Sequence, residues 1–171
     1  LYPWFNRHIF SRLCELVGQP MQLLTGNLIH EEIPQKLHSD YYYKTLGEPY
    51  RAFLIPVSVE NDTSRVSETH TIVFNEQDTY VAPAESEEKI WNRRTWNETR
   101  TVKENNALQY KAQHLSHLQD ADLECLTVDN IIQWKLGSAL YWDETQLHCS
   151  DDFSKNGIQN KQAIVVHTYV L

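Results

Sequence analysis

The segment QKLHSDYYYKT, residues 35–45, places His38 and Asp40 two positions apart. On a strand, side chains at i and i+2 leave the same face. An imidazole and a carboxylate so placed can reach one cation together. They make two corners of a two-histidine, one-carboxylate site, the donor set that leaves open positions on a non-haem Fe(II). Alone, H-x-D recurs by chance, so the reading depends on a third ligand from far along the chain, behind a pair of strands. His148 meets that condition. In KLGSALYWDETQLHCS, residues 135–150, Gly137 marks a turn after a strand that ends at Trp134, a second strand runs to Asp143, and a short connection leads to His148.

The other histidines are rivals for the third position. His167 lies among apolar residues of the last strand and reads as a core or cavity-lining residue. His70 is in a strand and could project inward, while His8 and His30 read as surface or core. His114 and His117 lie three apart and could share a helical face, but no carboxylate stands in matching register, so a surface reading is preferred. Cys149 adjoins His148, yet no activating partner is evident beside it, which argues against a nucleophile.

The elements that must position these residues are mostly strands. Residues 3–17, PWFNRHIFSRLCELV, predict an amphipathic helix, with Pro3 in the first turn, apolar Phe5, Ile9, Leu13 and Leu16 on one face, and Gly18 and Pro20 as the stop. Period-two patterns follow at 21–31, QKLHSDYYY, 50–60, 68–76, 79–82, 127–135, 138–143 and 160–171. Pro56 inside the third of these implies an edge or a bulge. Asn61-Asp62-Thr63-Ser64 is a turn cluster. Residues 84–122, without glycine or proline, break the pattern and predict an insertion of helix and loop, with helical periodicity over 106–118. Seven or eight short strands imply an antiparallel sandwich or barrel. The βαβ alternation, the GxGxxG and the phosphate-binding P-loop of nucleotide folds are all missing.

With 171 residues, 41% of them hydrophobic, the chain suffices for one domain, residues 1–171, with a real core. A net charge of −8 disfavours nucleic-acid partners, whose binders carry a basic footprint. The densest basic stretch, WNRRTWNETR at 91–100, is mixed with acids and reads as a solvated face, with binding of a substrate anion as the sharper alternative. Three widely spaced cysteines without CxxC fit a reducing, cytoplasmic compartment rather than a disulfide framework. No apolar run approaches the length of a membrane span. A small-molecule substrate is the expected partner.

The motifs quoted above resemble the Fe(II)/2-oxoglutarate-dependent oxygenases, whose core is a double-stranded β-helix, a cupin-like jelly roll. The resemblance runs from about residue 21 to the end. It rests on HSD at 38–40, the KLGSALYWDETQLHCS approach to His148, and a basic residue opening the final strand. It implies His38, Asp40 and His148 as ligands of Fe(II), O2 as oxidant, and Lys161 as the cation that pairs with the far carboxylate of 2-oxoglutarate. It is strongest to the phytanoyl-CoA hydroxylase-like branch, in which a serine stands two residues past the distal histidine, as Ser150 does here. The family's basic residue is often arginine; a lysine neutralises a carboxylate as a point charge, without the arginine fork. Lys155 lies nearer to His148, and Arg51, on the strand expected beside the metal-bearing one, is a second contender for the anchor. The implied activity is hydroxylation with release of succinate and CO2; a carboxylate at position 40 argues against halogenation. Trp91, Arg93, Arg94 and Trp96 of the insertion, and the inward members of Tyr41, Tyr42 and Tyr43, are the expected substrate wall. A cupin-type metalloenzyme that does not use 2-oxoglutarate, and a non-catalytic β-sandwich binding module, stay open as alternatives.

Overall fold

A computed structural model describes residues 3–40, 50–77 and 106–171. The strand expected at 79–82, Tyr41 to Tyr43 and the tryptophans and arginines of 91–96 lie outside the described residues.

The amino-terminal helix forms as a continuous run: α1 (Pro3–Phe5), one π-helical turn over Asn6–Phe10, and α2 (Ser11–Val17). Gly18 stops it in the left-handed conformation at φ 71°, its N–H returning to the carbonyl of Cys14. Its apolar row is Phe5, Ile9, Leu13 and Val17, not Leu16, which is 73% exposed. The π turn explains the difference. A row taken every four residues drifts about 40° per step around an α-helix, and a turn that winds less per residue offsets the drift, so Val17 takes the inner position.

Among the described residues, seven strands make the body of the molecule. They are β1 (Met21–Glu31), β2 (Tyr50–Val59), β3 (His70–Gln77), β4 (Val128–Gln133), β5 (Leu140–Asp143), β6 (Gln146–Ser150) and β7 (Lys161–Val170). One antiparallel sheet has the order β1-β7-β2-β5 and the other β4-β3-β6. The pairings β1 with β7, β2 with β5 and β3 with β4 join the first half of the chain to the second like a long folded hairpin, and the chain changes sheet repeatedly along it. Of the segment expected as a strand at 35–43, the described residues 35–40 contribute a single bridge, His38 to His148, that sits beside β6. Thr63–Glu68 forms a 3-10 helix in place of a plain turn, capped by the Asp62 side chain accepting from the Ser64 N–H. Pro56 is accommodated by a bulge: the β2–β7 register shifts between Pro56 and Ser58, and β5 has already left β2 at Leu54.

Alternation along the strands sorts the core into layers. Phe53 and Val166 face the amino-terminal helix with Phe5 and Leu13. Their neighbours Ala52, Leu54 and Ala163 face the other way and meet Trp134, Leu140 and Trp142 between the sheets. Beyond the three-stranded sheet, Ile72, Phe74, Leu147 and Cys149 pack on Leu115, Leu118 and Leu123 of a helical layer. That layer holds α3 (Ala107–His114) and α4 (Asp120–Leu123), the described part of the expected insertion. The architecture is mainly β: two antiparallel sheets, as in a β-sandwich, with a helix on each outer face. No helix among the described residues is long and apolar enough to cross a membrane.

Candidate metal centre

His148 lies in the middle of β6, reached from β5 through the two residues Glu144 and Thr145. Because β5 and β6 belong to different sheets, this short link carries the chain across the interior rather than making a hairpin. The backbones of His38 and His148 exchange two hydrogen bonds, His38 N–H to the His148 carbonyl at 3.0 Å and the reverse at 2.9 Å. Residues so paired stand side by side, and the two imidazole centroids are 4.3 Å apart. Asp40, two residues on, brings its carboxylate to the same point, with Oδ2 3.6 Å from His148 Nε2. One ligand atom from each of His38, Asp40 and His148 lies within 4.8 Å of the others.

The hydrogen bonds around the triad choose its protonation states. His38 Nδ1 is 2.7 Å from the carbonyl oxygen of Lys36, and His148 Nδ1 is 3.0 Å from that of Gln146. A carbonyl can only accept, so both Nδ1 atoms carry the proton and both Nε2 atoms keep a lone pair. A backbone carbonyl holding one ring N–H in this way turns the other ring nitrogen of a histidine toward a metal. Burial pushes the His148 imidazole down to about 4, with the Asp40 carboxylate pulling the other way and His38 adding to the fall. It is therefore neutral, the ligand form, at ordinary pH. Trp142 Nε1–H donates to Asp40 Oδ2 at 2.6 Å, and the Trp142 ring stacks 4.4 Å from His148. The triad thus fits a divalent cation.

The remaining expected residues fall in different places. Ser150 is buried two residues past His148, and its Oγ accepts from the Gln35 N–H at 2.7 Å, fastening the segment that leads to His38. Lys161 is 1% exposed and opens β7 directly opposite Glu31 of β1. Its Nζ is 3.4 Å from Glu31 Oε2 and 4.2 Å from the centre of the Trp134 ring. Burial pulls the ammonium pKa down while Glu31 and Asp151 hold it up. Arg51 is ion-paired with Asp143, its cross-strand neighbour, and stands out of step with the inward Ala52. Lys155 caps the end of α3 at the Ala112 carbonyl. Cys149 faces the helical layer, and burial raises its thiol far above the range of a reactive thiolate. A cavity of about 370 Å³, lined by Arg51, Val73, Ile132, Trp142, Asp143 and Gln146 among others, opens next to Trp142.

His114 and His117 do not form the pair their spacing allowed. α3 ends at His114, which removes the helical geometry that would bring a residue three further on to the same face. Both are half-buried rather than exposed. His117 Nε2 meets the Gln35 carbonyl at 3.1 Å, and His114 joins His70 and Asp151 in a second His/Asp cluster able to hold a metal. Three contributors escaped the sequence reading: Trp142, Glu31 and Trp134. The inward alternation of Leu140 and Trp142 was a usable signal for the first. The Glu31–Lys161 pair depends on the β1–β7 register, which no local pattern encodes.

No protein-family model matches the chain, and no curated protein matches it.

Proposed function

We propose that the chain is an Fe(II)- and 2-oxoglutarate-dependent dioxygenase on a double-stranded β-helix, hydroxylating a small molecule or a side chain. The observation that carries the reading is the meeting of His38, Asp40 and His148, with both Nε2 lone pairs free and the carboxylate held by Trp142. Two imidazoles and one carboxylate suit non-haem Fe(II). The fold reading is supported by the antiparallel winding of the chain's two halves, with His38 bridging to β6 as a further strand of the smaller sheet would.

In this reading His38, Asp40 and His148 hold the metal, Trp142 orients Asp40, and Lys161 meets the far carboxylate of 2-oxoglutarate. Iron and 2-oxoglutarate, when bound, would supply the oxidation of a C–H bond by O2, one oxygen atom going to the substrate and the other to succinate, with release of CO2. The open cleft beside Trp142 is the place we assign to a substrate, next to the triad through that side chain. Lys161 supports the cosubstrate as the fully buried cation among the described residues, but Glu31 already offsets its charge. That pair favours a second reading, a cupin-type metalloenzyme that uses the triad without 2-oxoglutarate.

Anaerobic titration with Fe(II), with and without 2-oxoglutarate, tests both. The expected result is iron binding that His38→Ala and His148→Ala abolish, together with the visible charge-transfer band of a keto acid chelated to Fe(II). Triad-dependent iron binding without that band would leave the second reading standing. Folded protein whose iron content ignores both substitutions would overturn both.

A further inference from the structure

We propose that His70, Asp151 and His114 form a second metal site, for Zn(II) or a similar borderline divalent ion, which fastens α3 to the three-stranded sheet. His70 opens β3, Asp151 follows the last residue of β6, and His114 closes α3. The His70 side chain lies out of step with Thr71, which is bonded to the interior Trp134, and so faces the helical layer. The site is therefore on the opposite side of the β3–β6 pair from His148, about 10 Å along the strand by the three-residue offset.

The backbone builds this site before any ion arrives. The Asp151 N–H donates to the His70 carbonyl at 3.1 Å, and the Asp152 N–H to the His114 carbonyl at 2.7 Å. Three segments distant in sequence are thus tied at the residues that carry the ligands. Asp151 Oδ2 accepts from the His70 N–H and lies 2.9 Å from His70 Nδ1. The His114 ring stands edge-on to His70, centroids 5.2 Å apart at 67°. One ligand atom from each residue lies within 4.8 Å of the others.

The His70–Asp151 pair, even with the Lys161 charge within electrostatic reach of the carboxylate, leaves one of its oxygens without a hydrogen bond among the described residues. Asp151 is 2% exposed, and its Oδ1 has no hydrogen-bond partner among the described residues. A buried carboxylate oxygen left so is costly. His114 donates to neither oxygen yet is held against the pair. A divalent ion bound to Oδ1, with Oδ2 still accepting the His70 backbone N–H, resolves both facts. It takes the place of the proton between His70 and Asp151 and draws in the His114 nitrogen. Zn–N and Zn–O bonds near 2.0–2.2 Å put tetrahedral ligands about 3.3 Å apart, so the ring has to move by no more than about 1.5 Å. Two imidazoles and a carboxylate leave the fourth position to water, and the release of a proton makes binding pH-dependent.

The test is metal stoichiometry and Co(II) absorption on the full chain, freed of metal and reloaded with Zn(II) or Co(II). The expectation is two equivalents in the wild type, one in His114→Ala, one in His38→Ala and none in the double variant. Tetrahedral Co(II) bands should vanish in His114→Ala and persist in His38→Ala. His114 ends a helix and is half-buried, so its loss spares the core. As a control for folding, Zn(II) should raise the melting temperature of His38→Ala and not of the double variant. A single equivalent lost in His114→Ala alone would support this site and sink the proposed function. Stoichiometry unchanged by His114→Ala, or Zn(II) that does not stabilise His38→Ala, would overturn the second site.

Discussion

At the scale of single residues, the candidate metal triad is a matter of which nitrogen holds a proton. The carbonyls of Lys36 and Gln146 take the Nδ1 protons of the two histidines, and Trp142 takes one lone pair of Asp40. These partners aim the ligands without touching a metal. Removing one such outer partner typically costs 10–100-fold in metal affinity. Trp142→Phe keeps the ring against His148 but loses the donor to Asp40. Its Fe(II) or Co(II) dissociation constant should rise by about 10–100-fold, measured by titration, with folding unchanged by circular dichroism. An unchanged constant would show that Trp142 only packs. The residue types and the H-x-D spacing were legible in the sequence. The tautomers were not, because they depend on carbonyls presented by the local backbone course.

At the scale of elements, the β1–β7 ladder decides what Lys161 can do. The strand start at Lys161 was readable from apolar periodicity, but its partner was not, since register follows from how two distant strands align. The ladder sets Lys161 opposite Glu31, and both are buried. Removing one partner of a buried pair costs about 3–5 kcal/mol, because the other charge is left alone. Glu31→Gln should therefore lower the melting temperature, and 2-oxoglutarate or glutarate should restore it more than it stabilises the wild type. A variant as stable as the wild type, with no dicarboxylate effect, would remove Lys161 as the anchor. The short link between β5 and β6 shows a similar limit. Asp143 and His148 could be read as the two sides of a turn, but not as members of different sheets.

At the scale of the whole molecule, buried ionisable groups make stability depend on pH. Burial pushes the folded His148 down to about 4, below the usual 6.5 of an unburied histidine. The unfolded chain therefore takes up the proton first. Stability is held above pH 6.5 and lost as the pH falls from 6.5 toward 4. At about 1.4 kcal/mol per unit, the loss is roughly 3 kcal/mol. Urea unfolding of chelator-treated protein should show this slope, and His148→Gln should flatten it across that window. An equal slope in the variant would assign the acid sensitivity to other groups.

The sequence by itself determined the strand-rich plan, the amino-terminal helix, an edge or bulge at Pro56 and the residue types of a candidate metal triad. Each of these follows from local rules of periodicity, fixed proline geometry and ligand chemistry. Tertiary structure decided the rest. It left residues 35–40 as one bridge rather than a strand, because the segment is tied down largely by side chains such as Ser150, His117 and Trp142 rather than by a backbone ladder. It also separated His114 from His117 and gave it to His70 and Asp151. The physical reason is the same in both cases. Contacts between residues 30 to 130 positions apart are set by how sheets pair and layers pack, and a local pattern carries no record of which distant surface it will meet.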